Sequence, residues 1–168
     1  MSEFVDLYDR NRKLLNRVVD RSTYVFQPGE FMMYVLAILE NEEGKFLVTQ
    51  RALDKKWAAG GWEMPGGGAK SEESSLDAVK REVKEETGLD VVNGCVVYSY
   101  FNEDPKRHDN YFVDIYHFKF DFQLSNVILN TRESIDCKCV SLDELIAMNK
   151  EDEFLHFERI MKALQQKK

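Results

Sequence analysis

Gly67–Leu89 reads GGAKSEESSLDAVKREVKEETGL. Glycines open the stretch, a helix-like run follows, and Glu82, Glu85 and Glu86 crowd its end. Ser74 with Asp77 three residues later forms a capping pair and Gly88 forms a stop, so the spacing predicts a helix over Ser74–Thr87. At about 100° per residue, Leu76, Val79, Val83 and Thr87 share one stripe. Glu82 and Glu86 lie one turn apart at the edge of that stripe, with Glu85 further round. Glu85 has Arg81 at i−4, whereas neither Glu82 nor Glu86 has a basic residue at i±3 or i±4. Such spacing costs about 0.2–0.5 kcal/mol in an isolated helix. Carboxylates left this way suit a hard divalent cation, because Mg2+ takes oxygen ligands and is commonly held by a few carboxylates together with substrate phosphates. Taken singly, a solvated acidic face and a turn-marking glycine loop are the plainer readings of the two halves.

Working outward, Phe4–Tyr8 and Leu14–Val19 flank a charged turn and predict an N-terminal hairpin, followed by a loop through residue 30. Phe31–Leu39 and Phe46–Arg51 predict a second hairpin around the turn Asn41–Gly44. Ala52–Trp62 reads as a loop and Glu63–Pro65 as a short strand leading into Gly66–Gly68. Val91–Phe101 and Tyr111–Phe122 read as strands joined by the charged loop Asn102–Asn110. Ile135–Val140 is a short strand, Ser141–Met148 a capped helix, and Glu153–Gln165 an amphipathic helix. The mixture is α+β, and nothing marks a domain boundary, so 1–168 is expected to be one domain.

Composition narrows the partners. Of 168 residues, 43% are hydrophobic and 32% charged, which is ordinary for a globular chain. The net charge of -7 argues against a nucleic-acid track or an anionic-membrane surface, both of which need a positive footprint. The opening MSEFVDLYDR does not read as a secretory leader, and Phe31–Leu39 is too short to span a bilayer. Cys95, Cys137 and Cys139 are an odd set suited to a reducing, cytoplasmic setting, and Cys137-Lys-Cys139 places two thiols on one strand face rather than in a redox motif. Monomer and homodimer are both compatible with the sequence.

Gly67, Glu73, Arg81, Glu82, Val83, Glu85, Glu86, Gly88 and Leu89 together fill every specified position of G-x5-E-x7-R-E-U-x-E-E-x-G-U, where U is bulky and aliphatic. A chance match is on the order of one in ten million, which decides against coincidence. The chain thus resembles the Nudix hydrolase family, MutT-like proteins included, and Trp62-Glu63-Met64-Pro65-Gly66 resembles the family's lead-in to that box. The resemblance implies an α/β/α sandwich around a mixed sheet. It implies metal-dependent hydrolysis of a nucleoside diphosphate linked to another moiety, with Mg2+ or Mn2+ on Glu82, Glu85 and Glu86 and the Gly66 carbonyl as a further ligand. Arg81 and Glu73 would orient these carboxylates. Glu82 is the first choice for general base, followed by Glu133 or Asp136. Gly67, Gly68 and Trp62 are expected to contact substrate.

Further substrate residues are less marked. Trp57, Tyr98, Tyr100 and Phe101 are available for stacking, Lys55, Lys56, Lys106 and Arg107 for phosphates, and His108 for acid or base work, although core packing or solvation accounts for each as well. The segment from Val5-Asp6-Leu7-Tyr8-Asp9 through Gly29-Glu30-Phe31 also resembles the Nudix subgroup related to isopentenyl diphosphate isomerase. True isomerases use a catalytic cysteine and a histidine-rich metal site. Here no cysteine precedes Cys95 and all three histidines (His108, His117, His156) follow the box. A Nudix-fold nucleotide sensor that binds without cutting is also compatible with the sequence. Removal of mRNA caps is disfavoured by the negative charge.

Overall fold

The computed structural model describes residues 2–151 and 154–166. A mixed sheet lies between two helical layers, as the α+β sandwich predicts. At its centre β3 (Met32–Glu40) runs parallel to β8 (Asp109–Lys119), in register from Met32↔Tyr111 to Glu40↔Lys119. Outside β8 lies antiparallel β7 (Cys95–Asp104). On its other side β3 divides its pairing. Glu40 meets Phe46 of β4 (Phe46–Arg51), while Tyr34, Val35 and Leu36 pair with Gly68, Gly67 and Gly66 of β6 (Gly66–Gly68). β4 also pairs with β5 (Trp62–Glu63) and β9 (Ser134–Val140).

Alternation along β3 builds both cores, since successive side chains point to opposite faces. Met33, Val35, Ala37 and Leu39 turn to one face, where Ala78, Val79 and Val83 of α1 (Ser75–Thr87) bury against them. Ile38 turns to the other, under Leu145 of α2 (Leu142–Lys150) and Ile160 and Ala163 of α3 (Phe157–Gln165). Each fully buried aliphatic side chain of this kind contributes roughly 1.5–3 kcal/mol. α1 begins as predicted: the Asp77 amide donates to Ser74 Oγ at 3.1 Å and the Ser74 amide to Asp77 Oδ2 at 3.2 Å. It ends at Gly88, whose amide donates to the Lys84 carbonyl at 3.0 Å.

The N-terminal hairpin, β1 (Phe4–Tyr8) with β2 (Leu14–Asp20), forms as expected and docks onto this frame. Tyr8 and Phe31 exchange amide–carbonyl hydrogen bonds at 2.8 and 2.9 Å. Asp6 accepts from the Ser71 hydroxyl and the Glu72 amide, and Arg12 reaches Asp114 in β8 at 2.7 Å.

Several boundaries differ from the sequence reading. Gly66–Gly68 is a strand, because backbone pairing with β3 needs no side chains. Val91–Gly94 is irregular, since Leu89 and Val91 turn into the core while Val92 is exposed. Both β7 and β8 extend into the expected 102–110 loop, leaving 105–108 as the connection, and β8 stops at Lys119. The last helix starts at Phe157: Phe154 bridges to Trp62, and the Leu155 amide donates to the Trp62 carbonyl at 2.8 Å. Glu153, its expected first residue, lies outside the described residues. Among the described residues no helix is long and apolar enough to cross a membrane.

Candidate active site

Where β4 parts from β6, a cleft of about 840 Å³ opens. The C-terminal turns of α1 form one wall, with Glu82, Glu85 and Glu86 all facing in. Closeness at Gly67 fixes the wall. A Cβ there would sit 2.6 Å from the Glu82 carboxyl carbon, so only glycine lets the carboxylate lie against β6.

Arg81 ties the acidic groups together. Its Nε donates to Glu73 at 2.5 Å, Nη2 to Glu73 and to the Gly68 carbonyl at 2.9 Å each, and Nη1 to Glu82 at 2.6 Å and Glu85 at 3.2 Å. Burial alone would lower the guanidinium pKa, but Glu73 and Glu82 raise it, so Arg81 stays charged. Glu82 is therefore not without a cation, as the helical spacing suggested. The i±3 and i±4 rule overlooks a long neighbouring side chain that bends back along the helix.

Glu86 differs. Among the described residues it makes no ion pair, and Oε2 accepts only a 3.3 Å hydrogen bond from the Gly66 amide. Burial, then repulsion from Glu82 and Glu63, pushes its pKa well above the usual carboxylate range, and Glu133 adds to that. Burial also raises Glu82, with Arg81 opposing, and raises Glu63 despite Arg51 at 2.9 Å. Glu133 pairs with Lys55. Among the described residues no three His, Cys, Asp or Glu side chains converge into a ready metal cage. Like charges turn apart here toward the nearest N–H donors. The donor set nevertheless fits a hard cation: oxygen ligands in a concentrated negative field, with glycine backbone beside them.

This arrangement sits inside a recognisable unit: residues 30–162 match the family model for the NUDIX domain. The chain belongs to the Nudix hydrolase family. It is 32% identical over 155 residues to an uncharacterized Nudix hydrolase of Listeria innocua, covering 90% of this chain and 88% of that one. A MutT protein from Methanosarcina mazei superposes with a TM-score of 0.68 at 27% identity, over 82% of this chain and 96% of that one. A shorter match, 36% identical over 72 residues, links 43% of the chain to 53% of an Escherichia coli CTP pyrophosphohydrolase.

Within this Nudix cleft the expected residues separate cleanly. Glu82, Glu85, Glu86, Gly66, Gly67, Gly68 and Glu133 line it, whereas Arg81 and Glu73 stand behind it. Trp57, Tyr100, Lys55 and Arg107 also line it. Trp62 does not: it is buried in the α2–α3 core with Lys138 over its ring at 4.3 Å. This corrects its expected substrate contact, since a strand residue one step before Glu63 points to the opposite face. Asp136 pairs its strand with Gln50 outside the cleft, and His108 holds the Phe26 carbonyl at 2.9 Å. Sequence reasoning missed Arg21, Glu3, Tyr34, Arg51, Glu63 and His156. They come from distant segments, and only Glu63, inside the quoted lead-in, carried a signal that could have found it.

Proposed function

We propose that this Nudix hydrolase cleaves the pyrophosphate bond of a nucleoside diphosphate linked to a second moiety, using Mg2+ or Mn2+ held by Glu82, Glu85, Glu86 and the Gly66 carbonyl. The carrying observation is Glu86: a half-buried carboxylate in the cleft with no ion pair among the described residues, repelled by Glu82 and Glu63. When bound, the cation supplies neutralisation of the pyrophosphate charge and lowers the pKa of a coordinated water. Glu82 is the first choice for general base in this reading, because it lines the cleft and its carboxylate is held in one orientation by Arg81. Arg81 holds Glu82 against β6, and Glu73 holds Arg81. Glu133 is the second choice, already engaged by Lys55.

The E. coli relative named for CTP supports a small nucleotide substrate. None of Cys95, Cys137 and Cys139 lines the cleft, which speaks against isomerase chemistry. The complete acidic set favours the hydrolase over a sensor that binds without cutting. Three free cysteines support a reducing, cytoplasmic setting.

The test is a screen of nucleoside triphosphates, nucleotide sugars, dinucleoside polyphosphates and dinucleotides with Mg2+ and Mn2+, reading phosphate, pyrophosphate or nucleotide release. Turnover of at least one class, lost in Glu82→Gln, is expected. Tight nucleotide binding without any product supports the sensor instead.

A further inference from the structure

We infer that Arg21, delivered by the N-terminal hairpin, is a phosphate-binding residue of the hydrolase cleft; this rests on the hydrolase reading of that cleft. The NUDIX model match begins at residue 30, so Arg21 lies outside the matched residues, yet it lines the same cleft as Glu82 and Glu86.

Its position is built rather than incidental. β2 ends at Asp20, paired to Phe4, and the Arg21 amide donates to the Glu3 carbonyl at 3.0 Å. The guanidinium carbon lies 5.5 Å from the Tyr34 ring centroid, and Tyr34 is paired with Gly68. A Cβ on Gly68 would stand 2.5 Å from Arg21 Nη1, against 2.6 Å from the Glu82 carboxyl carbon for one on Gly67. Neighbouring strand residues point to opposite faces. The edge strand β6 therefore carries a carboxylate against one face and a guanidinium against the other.

The charge balance of the cleft gives this cation a task. A pyrophosphate ester is strongly anionic, and carboxylates dominate the lining. Arg51 is occupied by Glu63, the Trp57 carbonyl and the Trp57 ring. Lys55 is bound to Glu133, and the side chain of Arg107 is 84% exposed beside Asp104. Arg21 is two-thirds buried, and among the described residues its ion-pair partner is Glu3, at 2.7 Å. Glu3 lines the cleft too, and its carboxylate occupies the guanidinium as a phosphate oxygen would. The planar fork matches phosphate in a way an ammonium does not, and the Tyr34 face holds it flat.

The competing account is that Arg21 only ties down Glu3 and the chain start. Wild type, Arg21→Ala, Arg21→Lys and Glu3→Gln separate the two. KM and kcat are measured on the best substrate of the screen, and inorganic pyrophosphate is titrated calorimetrically with Mg2+ present. Arg21→Ala is expected to raise KM and weaken pyrophosphate binding about tenfold with kcat nearly unchanged. Arg21→Lys should fall between, and Glu3→Gln should tighten binding about two- to fivefold by removing the competing carboxylate. Wild-type KM and pyrophosphate affinity in Arg21→Ala, or in Arg21→Lys if the alanine variant does not fold, overturn the inference while leaving the hydrolase reading intact. A wild-type chain that turns over nothing but binds pyrophosphate through Arg21 sinks the hydrolase reading and keeps the site. One that does neither removes both.

Discussion

Arg81 Nη1 lies 2.6 Å from a Glu82 oxygen while the same guanidinium grips Glu73 and the Gly68 carbonyl. One side chain thereby sets α1, the loop before it and β6 relative to each other. The separation between the acidic helix wall and the glycine strand depends on it.

Lysine at position 81 keeps the charge and loses the fork. It can reach Glu73 or Glu82, but cannot hold both with the Gly68 carbonyl. Arg81→Lys should therefore lower kcat about 10–100-fold at saturating Mg2+, the range seen when groups that orient metal ligands are lost. Glu73→Gln should cost less. The double variant should be no worse than Arg81→Lys alone, so the coupling in a double-mutant cycle should equal the Glu73→Gln loss, about 0.5–2 kcal/mol. Additive losses would mean that the two residues act separately.

At Gly67 the prediction is steric. An added methyl would meet the Glu82 carboxyl group at 2.6 Å, so Gly67→Ala must push the carboxylate out or bend β6. A displacement near 1 Å in a catalytic group costs about 100-fold. Gly67→Ala should lose turnover on that scale and need more Mg2+ for half-maximal activity. The bulk fold, judged by circular dichroism, should persist. Unchanged Mg2+ activation would show that Glu82 tolerates the shift and is not held by this contact.

The helix and its carboxylates were legible because capping and the buried stripe are local. Ser74, Asp77, Val79, Val83 and Gly88 specify α1 within one short window. β6 was not legible, since three glycines have no side chains to alternate and their strand is defined by Tyr34 to Leu36 across the gap. The start of α3 was hidden for a similar reason: Phe154 fits a helical stripe but finds a better partner in Trp62. Arg21 and Glu3 reach the cleft only after the hairpin folds back, so no spacing in the sequence announces them.

Glu86 makes a prediction about stability as well as rate. Burial and its carboxylate neighbours raise its pKa in the folded chain above the unfolded value. A group shifted this way favours the fold most at pH below its unfolded pKa, and that favour is lost as pH rises through the folded pKa. In metal-free buffer near pH 8, Glu86→Gln should therefore melt at or above the wild-type temperature. Its Mg2+-dependent turnover should drop about 100-fold or more. Addition of Mg2+ should raise the wild-type melting temperature and leave that of the variant nearly unmoved. A variant clearly less stable than wild type without metal would contradict the repulsion assigned here.

Arg12 and Asp114 give the opposite pH dependence. Burial by itself raises the Asp114 pKa, but hydrogen bonds from Arg12, Ser99 and Ser75 outweigh it, and the net shift is downward. Arg12 Nη1 and Nη2 grip the two oxygens at 2.8 and 2.7 Å, and the guanidinium lies 5.4 Å from the Phe112 ring centroid. Ser75 is the first residue of α1, so this contact joins the hairpin, β8 and the start of α1. With its folded pKa lowered, Asp114 contributes stability that is present above its unfolded pKa and lost as pH falls through the folded one. Arg12→Ala leaves a nearly buried carboxylate without its cation, a loss of about 3–5 kcal/mol for a fully buried pair. Because Arg12 itself is 37% exposed, roughly 2–3 kcal/mol is expected here. Chemical denaturation at pH 7 and pH 3 checks the sign. Wild type should lose more stability on acidification than Asp114→Asn, and the gap between wild type and Arg12→Ala should shrink at pH 3. A gap that stayed constant would place the Arg12 effect in its packing on Phe112 rather than in the ion pair.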